Sequence, residues 1–304
     1  MPKPSWLSEL QKLQIESTPM KKLPVGIYEK ALPFGIDWHQ RLTLARYAGF
    51  DFVEISIDES DERLIRLDWS AKERANLRQA IADTGVLLTT MCLSGHRKYP
   101  FGSASPETRR RAFEIMRKAV DFAIDVGVRV IQLAGYYVYY EPHDDGSLLR
   151  YQEGLAQSLE WATQADVMLA LENVDGSDVD SIAQAMHFVN TFNSPWFQVY
   201  PDIGNLAEHQ LDVSAELELA RGHIVGIHIK DTRPGEPRRV PFGEGTVPFV
   251  QAFQKLAEMN FIGPVLLEMW NDDSPEAMHL VRQSREWVAE RMVEAGLITQ
   301  EVFA

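Results

Sequence analysis

VMLALEN at 167–173, FQVYPDIGN at 197–205, IVGIHIKD at 224–231 and PVLLEMW at 264–270 are four short apolar runs. Each closes on a side chain able to bind a metal: Glu172, Asp202, His228 and Glu268. Apolar runs of this length read as strands buried on both faces. The four residues stand 30, 26 and 40 positions apart, about one strand–helix–strand unit each. A parallel barrel delivers the C-terminal ends of its strands to one face, where four residues so spaced can converge.

Working outward from these runs, eight strands are expected: 24–28, 52–57, 86–93, 128–134, 167–173, 197–203, 224–230 and 264–270. They begin about 34 residues apart, and helix-period stretches lie between them. Ser70 and Ser105 are placed as helix N-caps, and Gly49, Gly85 and Gly127 as helix ends. Eight alternations in about 250 residues predict an α/β protein, a (β/α)8 TIM barrel. An open doubly wound sheet would carry a glycine-rich phosphate loop after its first strand. VGIYEKALPFG at 25–35 has none, so no nucleotide cofactor is expected.

No linker or low-complexity run divides the chain. Residues 23–304 are read as one barrel domain with a C-terminal helical extension from Ser274 onward. Residues 1–22 form an N-terminal extension, with a short helix at 6–13 packing on the barrel floor or an alternative start at Met20. The 304 residues carry a net charge of −14, which speaks against nucleic-acid binding. Neither a secretory leader nor an apolar run of membrane-spanning length is visible. The single cysteine, Cys92, excludes an intrachain disulfide and suits a reducing cytoplasm; inside LLTTMCLS it reads as a buried structural thiol.

Taken singly, a glutamate closing a strand makes a salt bridge or caps a helix, and a histidine between isoleucines is a bonded core residue. Together, three carboxylates at one depth would be very costly without a cation. One imidazole and three carboxylates suit one divalent ion, Zn²⁺, Mn²⁺ or Mg²⁺. An ion that chelates a ketone oxygen and the neighbouring hydroxyl acidifies the carbon between them. Glu172 and Glu268, on different strands, are then placed to take a proton from one face and return one to the other, inverting that carbon.

At these residues the chain resembles the xylose-isomerase-like TIM barrels, and within them the bacterial L-ribulose-5-phosphate 3-epimerases, also called L-xylulose-5-phosphate 3-epimerases. The segments that carry the resemblance are PVGIYEKALP (24–33), GFDFVEISIDESDERLIRLDW (49–69), MCLSGHRKYPFGS (91–103) and GVRVIQLAGYYVYY (127–140). WFQVYPDIGNL (196–206), HIVGIHIKDTRPG (223–235), VPFGEGTV (240–247) and LLEMW (266–270) continue it. The resemblance implies a metal held by Glu172, Asp202, His228 and Glu268, with the two glutamates as the acid/base pair. It also implies a cytoplasmic homodimer acting on a ketopentose 5-phosphate in L-ascorbate and related pentose catabolism. One departure stands out. Three residues after the metal aspartate, where free-ketose 3-epimerases carry a histidine that touches the sugar, this chain has Asn205.

A phosphorylated substrate requires cations or backbone amides beside it. The expected contacts are His96 and Arg97 beyond the third strand, Lys230 and Arg233 beyond the seventh, and the amides of the Gly243–Gly245 turn. Glu54, ending the second strand, is expected to orient a sugar hydroxyl, and Asn205 lies at the same mouth. Trp270 and the tyrosines 136, 137, 139 and 140 are candidate pocket walls, the tyrosines also a candidate dimer face. The nearest rival reaction is aldose–ketose isomerisation of a sugar phosphate on the same scaffold. A lyase, a DNA endonuclease and a non-catalytic sugar-binding barrel are further rivals. The endonuclease would need several histidines and a basic groove.

Overall fold

The structure is a computed structural model and describes residues 23–271, 274 and 276–299; the expected N-terminal helix and start lie outside them. Strands β1 (Val25–Tyr28), β2 (Phe52–Ser56), β3 (Thr90–Leu93), β4 (Val130–Ala134) and β5 (Met168–Glu172) are followed by β6 (Phe197–Val199) and β7 (Ile227–Ile229). Then come β8 (Asp231–Arg233), β9 (Glu236–Val240) and β10 (Val265–Leu267). Eight of them form one parallel sheet in the order β6-β5-β4-β3-β2-β1-β10-β7. Parallel bridges from Val199 to Ile224 and from Asp202 to His228 close β6 onto β7, so the sheet becomes a barrel.

The period-two pleat gives each strand two faces. Outward residues such as Ile27, Val53, Met91, Ile131, Leu169, Ile227 and Leu267 enter the large apolar layer beneath the helices. Burying one such side chain contributes roughly 1.5–3 kcal/mol, and this layer is continuous around the barrel. The inward residues Tyr28, Phe52, Cys92 and Leu266 form a second, small cluster. Beside that cluster the barrel interior turns polar: Glu54 is the register partner of Tyr28, His228 of Leu266 and Gln132 of Cys92, and Glu172 lies two residues beyond Ala170, the partner of Gln132. Gly26 is required low in the barrel: a Cβ there would lie 2.3 Å from the Phe52 ring.

The helix ends follow their sequence signals. Ser70 accepts from the Glu73 amide and Glu73 bonds back to the Ser70 amide, opening the helix Ala71–Thr84. Ser105 caps Pro106–Val126, with proline at the start, where its missing N–H is harmless. Gly85 and Gly127 end those helices at φ +70° and +87°. Among the described residues no helix is long and apolar enough to cross a membrane.

The strands are shorter than expected, the third beginning at Thr90 and the seventh spanning only Ile227–Ile229, and two elements differ in more than length. The sixth strand stops at Val199 rather than Ile203, because Asp202 turns its carboxylate onto the amides of Gly204 and Asn205 and caps the helix Ile203–Glu208. The other is an antiparallel hairpin, β8–β9, that follows the seventh strand and turns through Gly235 at φ +78°. Its polar, proline-containing sequence TRPGEPRR carries no strand signal.

Candidate active site

Donor atoms of Glu172, Asp202, His228 and Glu268 all lie within 4.8 Å of one another at the C-terminal mouth. Glu172 ends β5, His228 sits in β7, and Glu268 follows β10 directly. Asp202 stands three residues past β6, held there by Asn173, whose side-chain oxygen accepts from the Asp202 amide at 2.9 Å. The Asn173 amide group in turn donates to the Asp202 carbonyl at 3.0 Å. Asp202 and His228 are fully buried, Glu172 is buried and Glu268 is partly exposed. Open access thus lies at Glu268, and the other three ligands form the floor.

The donor set fits one divalent ion. His228 Nδ1 is 2.7 Å from Glu172 Oε1, so the ring nitrogen and the carboxylate address the same space. Lys230 brings a positive charge to the group: its Nζ lies 2.7 Å from Asp202 Oδ2 and 3.0 Å from Glu268 Oε2. Burial pushes Asp202 up to about 7 against the pull of Lys230. Burial acts on Glu268 in the same sense, but Lys230 and His228 outweigh it and hold that carboxyl at about 2. Burial also works against a charged imidazole at His228, yet Glu54 and Glu172 raise its pKa well above the usual value. A site with this donor set could hold a cation.

Several supporting residues carry no local sequence signal. Gln132, on β4, donates to Glu172 Oε2. Its neighbour across the sheet is Ala170, two residues before Glu172, so only the strand register brings the two side chains together. Tyr200 sets its ring at 71° to the His228 imidazole, centroids 4.8 Å apart. Tyr28 bonds with Ser56 at 3.0 Å and packs edge-on against Trp270. Cys92 is buried under the site as a thiol pushed up to about 12 by burial.

The sequence-expected substrate contacts separate into three groups. Arg97 remains available: its guanidinium lies 5.5 Å from the centres of the Tyr136 and Tyr139 rings, and none of the described carboxylates forms an ion pair with it. Asn205 is buried at the mouth, its amide group donating to the Asn173 carbonyl at 2.9 Å and its Oδ1 without a partner. The others are engaged elsewhere. His96 points into the helix layer, with Nε2 3.2 Å from the Ala112 carbonyl and its ring against Phe101, and burial lowers its pKa to about 4. Lys230 is held by two of the metal-binding carboxylates, and Arg233 pairs with Glu236 and Glu244 on the hairpin.

The amides of Gly243 and Gly245 both donate to Asp231 Oδ2, at 2.8 and 2.9 Å, so this turn already holds a carboxylate. A Cβ on Gly245 would stand 2.0 Å from Asp231 Oδ1, which explains the glycine. Glu54 faces His228 Nε2 at 2.8 Å, on the far side of the ring from the ligand group, rather than the open pocket. Tyr136 bonds to Asp175, which also pairs with Arg238 at 2.6 Å, so the loops after β4 and β5 and the hairpin are tied together.

Comparison with known proteins places this geometry in a family. Residues 42–291 match the xylose isomerase-like TIM barrel family. The chain is 50% identical over 278 residues to the L-ribulose-5-phosphate 3-epimerase of Salmonella heidelberg, covering 91% of this chain and 98% of that one. The enzyme of the same name from Escherichia coli O1:K1 matches equally, 50% over 278 residues, with 91% and 98% covered. Among solved structures, a D-psicose 3-epimerase of Clostridium cellulolyticum H10 with D-tagatose shares the fold at a TM-score of 0.76 and 16% identity, over 89% of this chain and 99% of that one. An L-ribulose 3-epimerase does so at 0.73 and 20%, over 90% and 96%. The chain belongs to the L-ribulose-5-phosphate 3-epimerase family of xylose isomerase-like TIM barrels, and is an enzyme of the isomerase class.

Proposed function

We propose that the enzyme interconverts L-ribulose 5-phosphate and L-xylulose 5-phosphate by inverting C3, with one divalent ion held by Glu172, Asp202, His228 and Glu268. The observation that carries this reading is the pair of glutamates within one 4.8 Å ligand group, reaching it from β5 and β10 with β6 and β7 between them. When bound, the ion supplies positive charge beside the ketone oxygen, which lowers the energy of the enediolate formed on deprotonation. One glutamate removes the C3 proton from its own side, and the other delivers a proton to the opposite side. Reversing these roles runs the reaction backwards. Glu268, whose charge Lys230 stabilises, is an ionised base at neutral pH.

At the phosphate end, Arg97 is the cation we assign to the substrate, since its guanidinium is positioned by two rings and has no carboxylate to release. Asn205 offers its unpartnered oxygen to a sugar hydroxyl. The test is NMR of L-ribulose 5-phosphate incubated with the enzyme and Mn²⁺ in D₂O. Deuterium at C3 together with L-xylulose 5-phosphate is expected. Deuterium at C1 with an aldose product would instead make the enzyme an isomerase of the aldose–ketose kind, and no exchange at either carbon would sink the reading.

A further inference from the structure

Glu54 is fully buried in the middle of β2, where a carboxylate is costly unless it is bonded. Its Oε1 lies 2.8 Å from His228 Nε2, and its Oε2 has no partner among the described residues. Glu54 is not one of the four residues whose donors converge on the candidate metal position. His228 therefore presents two different faces. Its Nδ1 looks toward Glu172, while its Nε2 looks away, toward Glu54.

A neutral imidazole has one N–H and one lone pair, and a carboxylate can only accept. Both ring nitrogens face a carboxylate, Glu172 at 2.7 Å and Glu54 at 2.8 Å; with Glu172 committed to the ion, Glu54 is the acceptor left for the proton on Nε2, and the Nδ1 lone pair faces the other ligands. The Tyr200 ring, edge-on to the imidazole, resists rotation about the side-chain bond. We propose that Glu54 is a positioning residue: it sets the tautomer and orientation of His228 as a metal donor and does not touch the sugar. A hydrogen bond from the far nitrogen to a carboxylate also makes the near nitrogen a stronger donor. The inference rests on the metal site proposed above. The dependence is reciprocal, because Oε1 of Glu54 has His228 as its partner and loses it in His228→Ala.

The experiment measures Co²⁺ affinity by competition with a chelator in the full-length protein, for the wild type, Glu54→Gln and Glu54→Leu. Glu54→Leu should weaken binding by about 10–100-fold, the usual effect of losing such a partner. Glu54→Gln, whose amide oxygen still accepts the Nε2 proton, should recover most of that loss. At saturating metal, KM for the ketose phosphate should stay at the wild-type value, and the visible Co²⁺ spectrum should shift in the leucine variant. Long-range ¹H–¹⁵N spectra of the Zn²⁺-loaded protein should place the His228 proton on Nε2 in the wild type and in the glutamine variant. That measurement decides the matter even if Glu54→Leu does not fold.

A proton on Nδ1, or wild-type Co²⁺ affinity with a raised KM in Glu54→Leu, would overturn the inference and return Glu54 to the substrate. Failure of the wild type to bind Co²⁺ at all would overturn the metal site itself. An inactive wild type that binds Co²⁺ with the expected tautomer would overturn the proposed reaction and leave the role of Glu54 standing.

Discussion

Strands β5, β6, β7 and β10 lead to the four side chains of the ligand group, whereas β2 and β4 carry two of the groups that hold those side chains. Glu172, Asp202, His228 and Glu268 come from the first set; Glu54 behind His228 and Gln132 against Glu172 come from the second. The charge balance differs too. Around the ligands, four acidic or imidazole groups share one buried ammonium, Lys230. Beside β1 and β2 the balance is reversed: buried Glu29 accepts two short bonds from Arg66 and one from Arg41, with Arg63 at 3.8 Å. One half thus gathers groups that could hold a cation, and the other is already neutralised by its own residues. A site of this kind is chemically poised on one side and structurally fixed on the other.

The largest effects are expected on the poised side. Glu172→Gln or Glu268→Gln removes one proton carrier and should lower epimerisation by about 10²–10⁴-fold, with further loss where the metal is perturbed. In D₂O each variant should still exchange the C3 proton of one epimer, since one-sided deprotonation needs one base, and the two variants should prefer opposite epimers. One dead variant beside a nearly unaffected one would replace the two-base scheme with a single base. His228→Ala should lose metal occupancy, measured by elemental analysis after dialysis, and strand the Glu54 carboxylate.

On the fixed side the expected effect is on stability rather than catalysis. Glu29→Gln leaves Arg66 and Arg41 buried without their counter-charge, which should cost about 3–5 kcal/mol of unfolding free energy in denaturant titrations. Burial works to raise the Glu29 pKa, but Arg66 and Arg41 outweigh it and hold it below the usual carboxylate value. A depressed carboxylate stabilises fully above its unfolded-state pKa and loses that contribution as pH falls through its folded-state value. The gap between variant and wild type should therefore narrow in acid. A metal affinity that fell together with stability in Glu29→Gln would erase the division between the two halves.

Gln132→Leu sits on the boundary. It removes the donor to Glu172 Oε2 from a supporting strand, so metal affinity should fall by about 10-fold while stability changes little. Loss as complete as that of a ligand variant would promote Gln132 to an equal member of the site.

The same division explains what could be read from the chain. VMLALEN, IVGIHIKD and PVLLEMW announce their ligands because each side chain lies at a strand end, where sequence position and spatial position coincide. Gln132 and Tyr200 could not be read, because their partners are fixed by register and barrel closure between segments tens of residues apart. Gly243 and Gly245 looked like an open anion cradle; the occupant, Asp231, is a residue of the same chain 12 and 14 positions earlier. His96 follows the third strand as a substrate ligand would, yet the 3₁₀ turn Ser94–Arg97 rotates its ring onto the helix Pro106–Val126 and leaves only Arg97 facing the tyrosines. Adjacent residues in a turn leave in different directions, and spacing alone does not choose between them.

That last point yields the smallest and sharpest comparison, between Arg97 and Lys98. Both are cations in the turn after β3, and of the two the sequence reading places only Arg97 at the phosphate. Lys98 is nearly half exposed, lies 5.5 Å from the centre of the Tyr99 ring, and among the described residues forms an ion pair with Asp61 alone, itself almost fully exposed, at 3.9 Å. A surface pair of that kind contributes about 0–1 kcal/mol, so Lys98→Ala should leave stability, metal occupancy and KM within experimental error of the wild type. Arg97 lies against two rings with no carboxylate partner among the described residues, so Arg97→Met should raise KM for the 5-phosphate while changing kcat much less. The loss of one charge-assisted contact corresponds to about 1.5–3 kcal/mol, or roughly 10–150-fold in KM. The unphosphorylated ketose supplies the control, because its KM should not respond to Arg97→Met. An equal rise for both sugars would make Arg97 a support of the loop after β4, through its tyrosine contacts. A rise in KM for Lys98→Ala matching that of Arg97→Met would move the phosphate outward, to the rim of the barrel mouth.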